Sequence, residues 1–126
     1  MGLTLDTGAL LAFERGDRAV AALLEAARRR REPVRTSAGC VAQAWRGGGP
    51  RQARLAAVLR GVEEQPLDAR ISRSVGALCA RSEVTDVVDA HVALVARDGD
   101  IVVTSDPDDL ARVLQATPRR VTLVGV

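Results

Sequence analysis

Four aspartates offer the most direct chemistry in this sequence. Asp6 follows the apolar run Gly2–Leu5, and Asp106 follows the run Ile101–Thr104 with only Ser105 between. Asp86 and Asp89 lie three residues apart at the start of a helical pattern, so they share a face. Carboxylates that meet raise each other's pKa and destabilise the fold. A divalent cation removes that penalty and takes hard oxygen ligands. Mg²⁺ or Mn²⁺ held in this way lowers the pKa of a bound water and clamps a phosphodiester oxygen. Nucleic acid could then be hydrolysed with no Ser, Cys or His nucleophile. Asp6, Asp89 and Asp106 are the candidate ligands and catalytic residues. Each acid also has a structural reading. Asp86 and Asp89 favour the positive end of their own helix. Asp106 N-caps the helix opened by Pro107. Asp108 and Asp109 are solvated first-turn acids. Asp6 is harder to explain structurally, because a charge ending a buried strand is costly unless paired.

Two strands and a helix must position these groups, and the pattern supplies them. Gly2–Leu5 reads as a first strand. A short helix Ala9–Glu14 follows, with Thr7 as its cap. Asp17 caps a second helix, in which Val20, Leu23, Leu24 and Ala27 recur at helical spacing and Arg28–Arg31 close the C-terminus. Val34–Thr36 reads as a strand, Ser37 caps a helix through Trp45, and Gly47-Gly48-Gly49-Pro50 is a turn before a helix over Arg51–Gly61. Glu64–Leu67 is a further strand. Asp68 caps a helix carrying Ile71, Val75, Leu78 and Cys79. Thr85 caps the helix Asp86–Arg97, which ends at Gly99. Ile101–Thr104 is the clearest strand, a helix runs from Pro107 through Leu114, and Val121–Val124 is the last strand. Strands alternating with helices predict an α/β/α sandwich around a mainly parallel sheet. In such a sheet ligands bind outside the carboxyl ends of the strands, where Asp6 and Asp106 fall.

Length and composition narrow the classes. A chain of 126 residues fits one domain, 1–126. Only Trp45 and Phe13 are aromatic, so the core is aliphatic and stacking platforms for bases are not expected. Cys40 and Cys79 read as free thiols in a reducing compartment. With His91 the only histidine, a zinc site is unsupported. No apolar stretch approaches the roughly 20 residues a bilayer requires, and no signal peptide is recognised. The expected location is the cytoplasm, with no membrane partner.

All 18 basic residues are arginine. From Arg28 to Arg60 nine arginines face one acid, Glu32; from Glu83 to Asp109 eight acids face one base, Arg97. The basic stretch suits a polyanion and the acidic one a divalent cation; both also fit solvated faces. Arg46, Arg51 and Arg54 are the candidate RNA-binding residues. Leu5-Asp6-Thr7-Gly8-Ala9 is similar to the catalytic loop of retroviral-type aspartic proteases, but those are all-β folds and this chain is helical beyond residue 9. Receiver domains use a lysine that is missing here. A Ser–His hydrolase would have to use His91, which is expected to face away from Asp89 as a surface or packed residue.

Three segments together resemble the PIN-domain family, in particular its VapC-like toxins. They are Leu5-Asp6-Thr7-Gly8-Ala9-Leu10, Asp86-Val87-Val88-Asp89-Ala90-His91 and Val103-Thr104-Ser105-Asp106-Pro107-Asp108-Asp109-Leu110. The resemblance implies an α/β/α sandwich that holds Mg²⁺ or Mn²⁺ and cleaves RNA, forms a homodimer, and is silenced by a cognate antitoxin whose tail fills the acidic groove. It implies metal ligation by Asp6, Asp89 and Asp106, with Asp109 a secondary acid. The family usually places a Glu in the helix after the second strand; Gln43 stands there instead. A Gln carbonyl can ligate a metal or hold a bound water but cannot act as a base, so reduced turnover is expected, with Asp86 a possible compensation. The alternative is a catalytically weakened module that binds RNA or a protein without cutting.

Overall fold

Short β-branched and leucine-rich runs build the centre of the molecule. In the computed structural model, β1 (Leu3–Leu5) and β4 (Ile101–Thr104) lie side by side in the middle of a five-stranded sheet, with β2 (Val34–Ser37) beyond β1. The edges are β3 (Glu63–Gln65) and β5 (Thr122–Gly125), giving the order β3-β2-β1-β4-β5. Every pairing is parallel. The structure describes the whole chain apart from the side chain of Arg51.

Seven helices cover the sheet: α1 (Thr7–Glu14), α2 (Arg18–Arg29), α3 (Ala38–Ala44), α4 (Gly49–Leu59), α5 (Ala69–Ser82), α6 (Val87–Val95) and α7 (Pro107–Gln115). Helix α1 packs with α2, α3 and α4, while α6 packs with α5 and α7, which makes the three-layer α/β/α sandwich expected from the alternation. The core between the layers is aliphatic, built on Leu5, Leu10, Leu55, Leu78, Leu110, Val102 and Val103. Hydroxyls inside the sheet find partners: Thr36 Oγ1 donates to Leu5 O at 2.7 Å, and Thr4 Oγ1 donates to Asp100 Oδ2 at 3.1 Å. Among the described residues, no helix is long and apolar enough to cross a membrane.

Several boundaries differ from the sequence reading for one reason: aspartates take the caps. Asp6, not Thr7, caps α1, accepting from Ala9 N at 2.8 Å. Asp86, not Thr85, caps α6, accepting from Val88 N and Asp89 N. A carboxylate at the N-cap satisfies free amides and also meets the positive helix end.

The register places the strand ends level. Leu5 pairs with both Thr36 and Val103, so Asp6, Ser37 and Thr104 emerge along one edge. The chain leaves β1 toward β2 and leaves β4 toward β5, in opposite directions. The gap above β1 and β4 is therefore the topological switch point of the sheet.

Candidate metal centre

A cleft of about 180 Å³ opens at that switch point, lined by Asp6, Gln43, Asp86, Asp89, Ser105 and Asp106 among others. Carboxylate oxygens of Asp89, Asp106 and Asp109 lie within 4.8 Å of one another, close enough to share one ion. Two helices deliver them: Asp89 from the first turn of α6, Asp106 as N-cap of α7 and Asp109 from the first turn of α7. Asp106 Oδ1 accepts from Asp109 N at 3.3 Å, which leaves its second oxygen free of backbone.

Asp6 is buried on the wall of the same cleft but outside this oxygen triad. Its Oδ1 accepts from Ala9 N, and its Oδ2 accepts from Ser105 N at 3.1 Å. One carboxylate thus caps α1 and fastens the exit of β4 to the exit of β1. The triad contains Asp109 where the sequence reading gave first place to Asp6. Asp6 resolves its buried charge with amides, a partner invisible before the two strands are set side by side.

Electrostatic tension concentrates on Asp89. Burial, and then the charges of Asp86, Asp106, Asp6 and Asp109, raise its pKa to about 7. Asp106 likewise raises Asp109. Arginine offers little relief: the nearest pair is Arg112 Nη1 to Asp109 Oδ1 at 3.8 Å, exposed and weak. Carboxylates of this kind, undercompensated and converging, form a hard-oxygen donor set that fits Mg²⁺ or Mn²⁺ and offers nothing to softer metals.

Gln43 stands on the cleft wall, and its side-chain carbonyl accepts from Thr7 Oγ1. Asp86 also lines the cleft, with one oxygen committed to two amides of α6. The basic stretch is more dispersed than its sequence suggests. Arg46 folds onto Ala42 O and Trp45 O, and Arg54 reaches Glu14 O at 3.4 Å. The side chain of Arg51 lies outside the described part of the structure. Arg35 is internal, within 3.4 Å of Asp100 Oδ2. Among the described residues, no arginine lines the acidic cleft. Asp98 and Asp100, counted with the acidic stretch, lie at the opposite edge of the sheet, before β4 begins.

One pair escaped the sequence reading. Ser37 Oγ and His91 Nδ1 lie 2.7 Å apart in the interior, 54 residues apart in sequence. Ser37 is fully buried and caps α3 through Gly39 N, so it is no accessible nucleophile. His91 is the packed residue of the two expected possibilities. Cys40 is buried, Cys79 half-buried, and both are free; burial pushes the Cys40 thiol up.

No protein-family model matches the chain, and no curated protein is significantly similar to it.

Proposed function

We propose that this chain is a Mg²⁺- or Mn²⁺-dependent endoribonuclease of the VapC-like PIN-domain kind, the cytoplasmic toxin of a toxin–antitoxin pair. The observation that carries this reading is the meeting of Asp89, Asp106 and Asp109 at the switch point of the sheet, with Asp6 beside them. Such a cluster is unfavourable by itself and becomes favourable around a divalent cation. When bound, the ion supplies Lewis-acid polarisation of the phosphoryl group and a water of lowered pKa. Asp89, Asp106 and Asp109 would hold it. Asp6 sets the spacing of the strand ends that carry Asp106 and Asp109. Without a cation, Asp89 has a pKa of about 7, so taking up the ion would displace a proton from it. The RNA track along Arg46, Arg51 and Arg54, the homodimer and the antitoxin enter the proposal from charge and from the resemblance.

Gln43 favours a second reading, a module with a weakened site that binds RNA or a protein without cutting. Its carbonyl is engaged by Thr7, and it brings no charge to the cleft.

One experiment separates the two. RNA is incubated with Mn²⁺ and the wild type, Asp89→Asn, Asp106→Asn or Gln43→Glu. The nuclease reading expects cleavage by the wild type and a loss of about 100-fold or more in either Asn variant. The module reading expects cleavage only after Gln43→Glu. Calorimetry showing no Mn²⁺ binding by the wild type at millimolar metal would defeat both metal-based readings.

A further inference from the structure

Helix α6 presents a second functional face. His91 is two residues beyond Asp89, which is about 200° around the helix, and it lines a separate cavity of about 410 Å³. The polar wall of that cavity consists of Gln65, Asp68, Arg70, His91, Arg97 and Arg119.

The hydrogen bonds define the state of the imidazole. Gly39 N can only donate, and it donates to Ser37 Oγ at 3.0 Å. The Ser37 hydroxyl proton has no acceptor other than His91 Nδ1 among the described residues. Nδ1 therefore accepts, and the neutral ring carries its proton on Nε2. His91 is only 2 % exposed, yet Nε2 has no hydrogen-bond partner among the described residues. Nor is it one of the polar atoms sealed away without a partner, and His91 is one of the residues that line the cavity.

The arginines are similarly uncommitted. The ion pairs among the described residues use Arg28, Arg29, Arg35 and Arg112. Arg70, Arg97 and Arg119 have no carboxylate within bonding distance. Asp68 is the one acid on the wall, and its Oδ1 is occupied by Ile71 N at 2.8 Å. Three guanidinium groups against one carboxylate leave the cavity cationic, with a buried neutral N–H donor in its wall.

We propose that this cavity binds a phosphate-type oxyanion, held by Arg70, Arg97 and Arg119 and oriented by the Nε2–H of His91. Guanidinium forks match phosphate oxygens in geometry and charge. A neutral donor adds direction without another buried charge. The site lies on the opposite face of α6 from the acidic cleft and does not depend on the metal reading.

His91 is the only histidine in the chain, so its ring resonances in NMR form a single, assigned-by-default reporter. The protein is titrated with inorganic phosphate, adenosine 5′-monophosphate or a short RNA, each against sodium chloride at matched ionic strength. The expected result is a saturable shift of the His91 signals. Arg70→Gln and Arg119→Gln should each weaken binding about tenfold, with circular dichroism confirming that both variants fold. Saturation by phosphate and the nucleotide marks a small-molecule site; saturation by RNA alone marks a backbone-phosphate site; either upholds the proposal. Drift that chloride reproduces, or affinities unchanged in both Gln variants, would overturn it. Asp89→Asn should leave this titration unaltered, which separates it from any failure of metal binding.

Discussion

At neutral pH the Asp89 carboxyl is close to half protonated, because folding raises its pKa from 3.8 to about 7. The folded chain therefore holds this proton more tightly than the unfolded chain. The associated stability is fully present below the unfolded carboxylate range and is lost as pH rises through about 7. In metal-free buffer the wild type should lose of order 1–2 kcal/mol between mildly acidic and mildly alkaline pH, a figure reduced for solvent screening. Urea titrations at a series of pH values check this, and Asp89→Asn should flatten the profile. A wild-type slope of the opposite sign would refute the assignment. A bound cation requires the carboxylate, so Mn²⁺ uptake should release about half a proton near pH 7 and close to one proton near pH 6. Calorimetry in buffers of different ionisation enthalpy measures that release.

Helix starts place the acids, and two substitutions test how. Asp86 both caps α6 and, after burial, is the largest cause of the raised Asp89 pKa. Asp86→Asn keeps a competent cap and should cost only a few tenths of a kcal/mol, while Asp86→Ala should cost about 1 kcal/mol. Both should lower the Asp89 pKa, followed by carboxyl NMR; a shift confined to the Ala variant would mean that helix geometry, not charge, sets it. Gly8 is held to its small size by close approach. A Cβ there would lie 2.2 Å from Ser105 Oγ and 2.3 Å from Ser105 Cβ. Gly8→Ala should cost about 1–3 kcal/mol through that overlap and displace the corner that carries Asp106. Thermal unfolding with parallel Mn²⁺ titration reads both effects. The spacing of Asp6, Thr7 and Gly8 was legible in the sequence, but the neighbour that excludes a side chain at Gly8 comes from 97 residues away.

Across the whole molecule the two edges of the sheet do different work. The carboxyl edge gathers undercompensated acids. The amino edge buries Asp100, which accepts from Thr4 Oγ1 and Arg97 N and pairs with Arg35 at 3.4 Å. Asp100→Ala should cost about 1–3 kcal/mol, because Thr4 Oγ1 and Arg97 N lose their acceptor and Arg35 keeps only the exposed Glu63 carboxylate at 3.4 Å, yet leave Mn²⁺ affinity intact. Equal losses of stability and metal affinity would contradict this division of labour. Strand–helix alternation, the aliphatic core and the positions of Asp6, Asp89 and Asp106 at element ends were fixed by local pattern, since periodicity and capping act over a few residues. Which carboxylates share an ion's reach was decided by packing: Asp109 joined Asp89 and Asp106, while Asp6 turned to the amides of Ala9 and Ser105. The same holds for the scattered arginines and for the Ser37–His91 bond. Those outcomes depend on strand order and register, which bring together residues far apart in the chain, and no local spacing encodes distances of that kind.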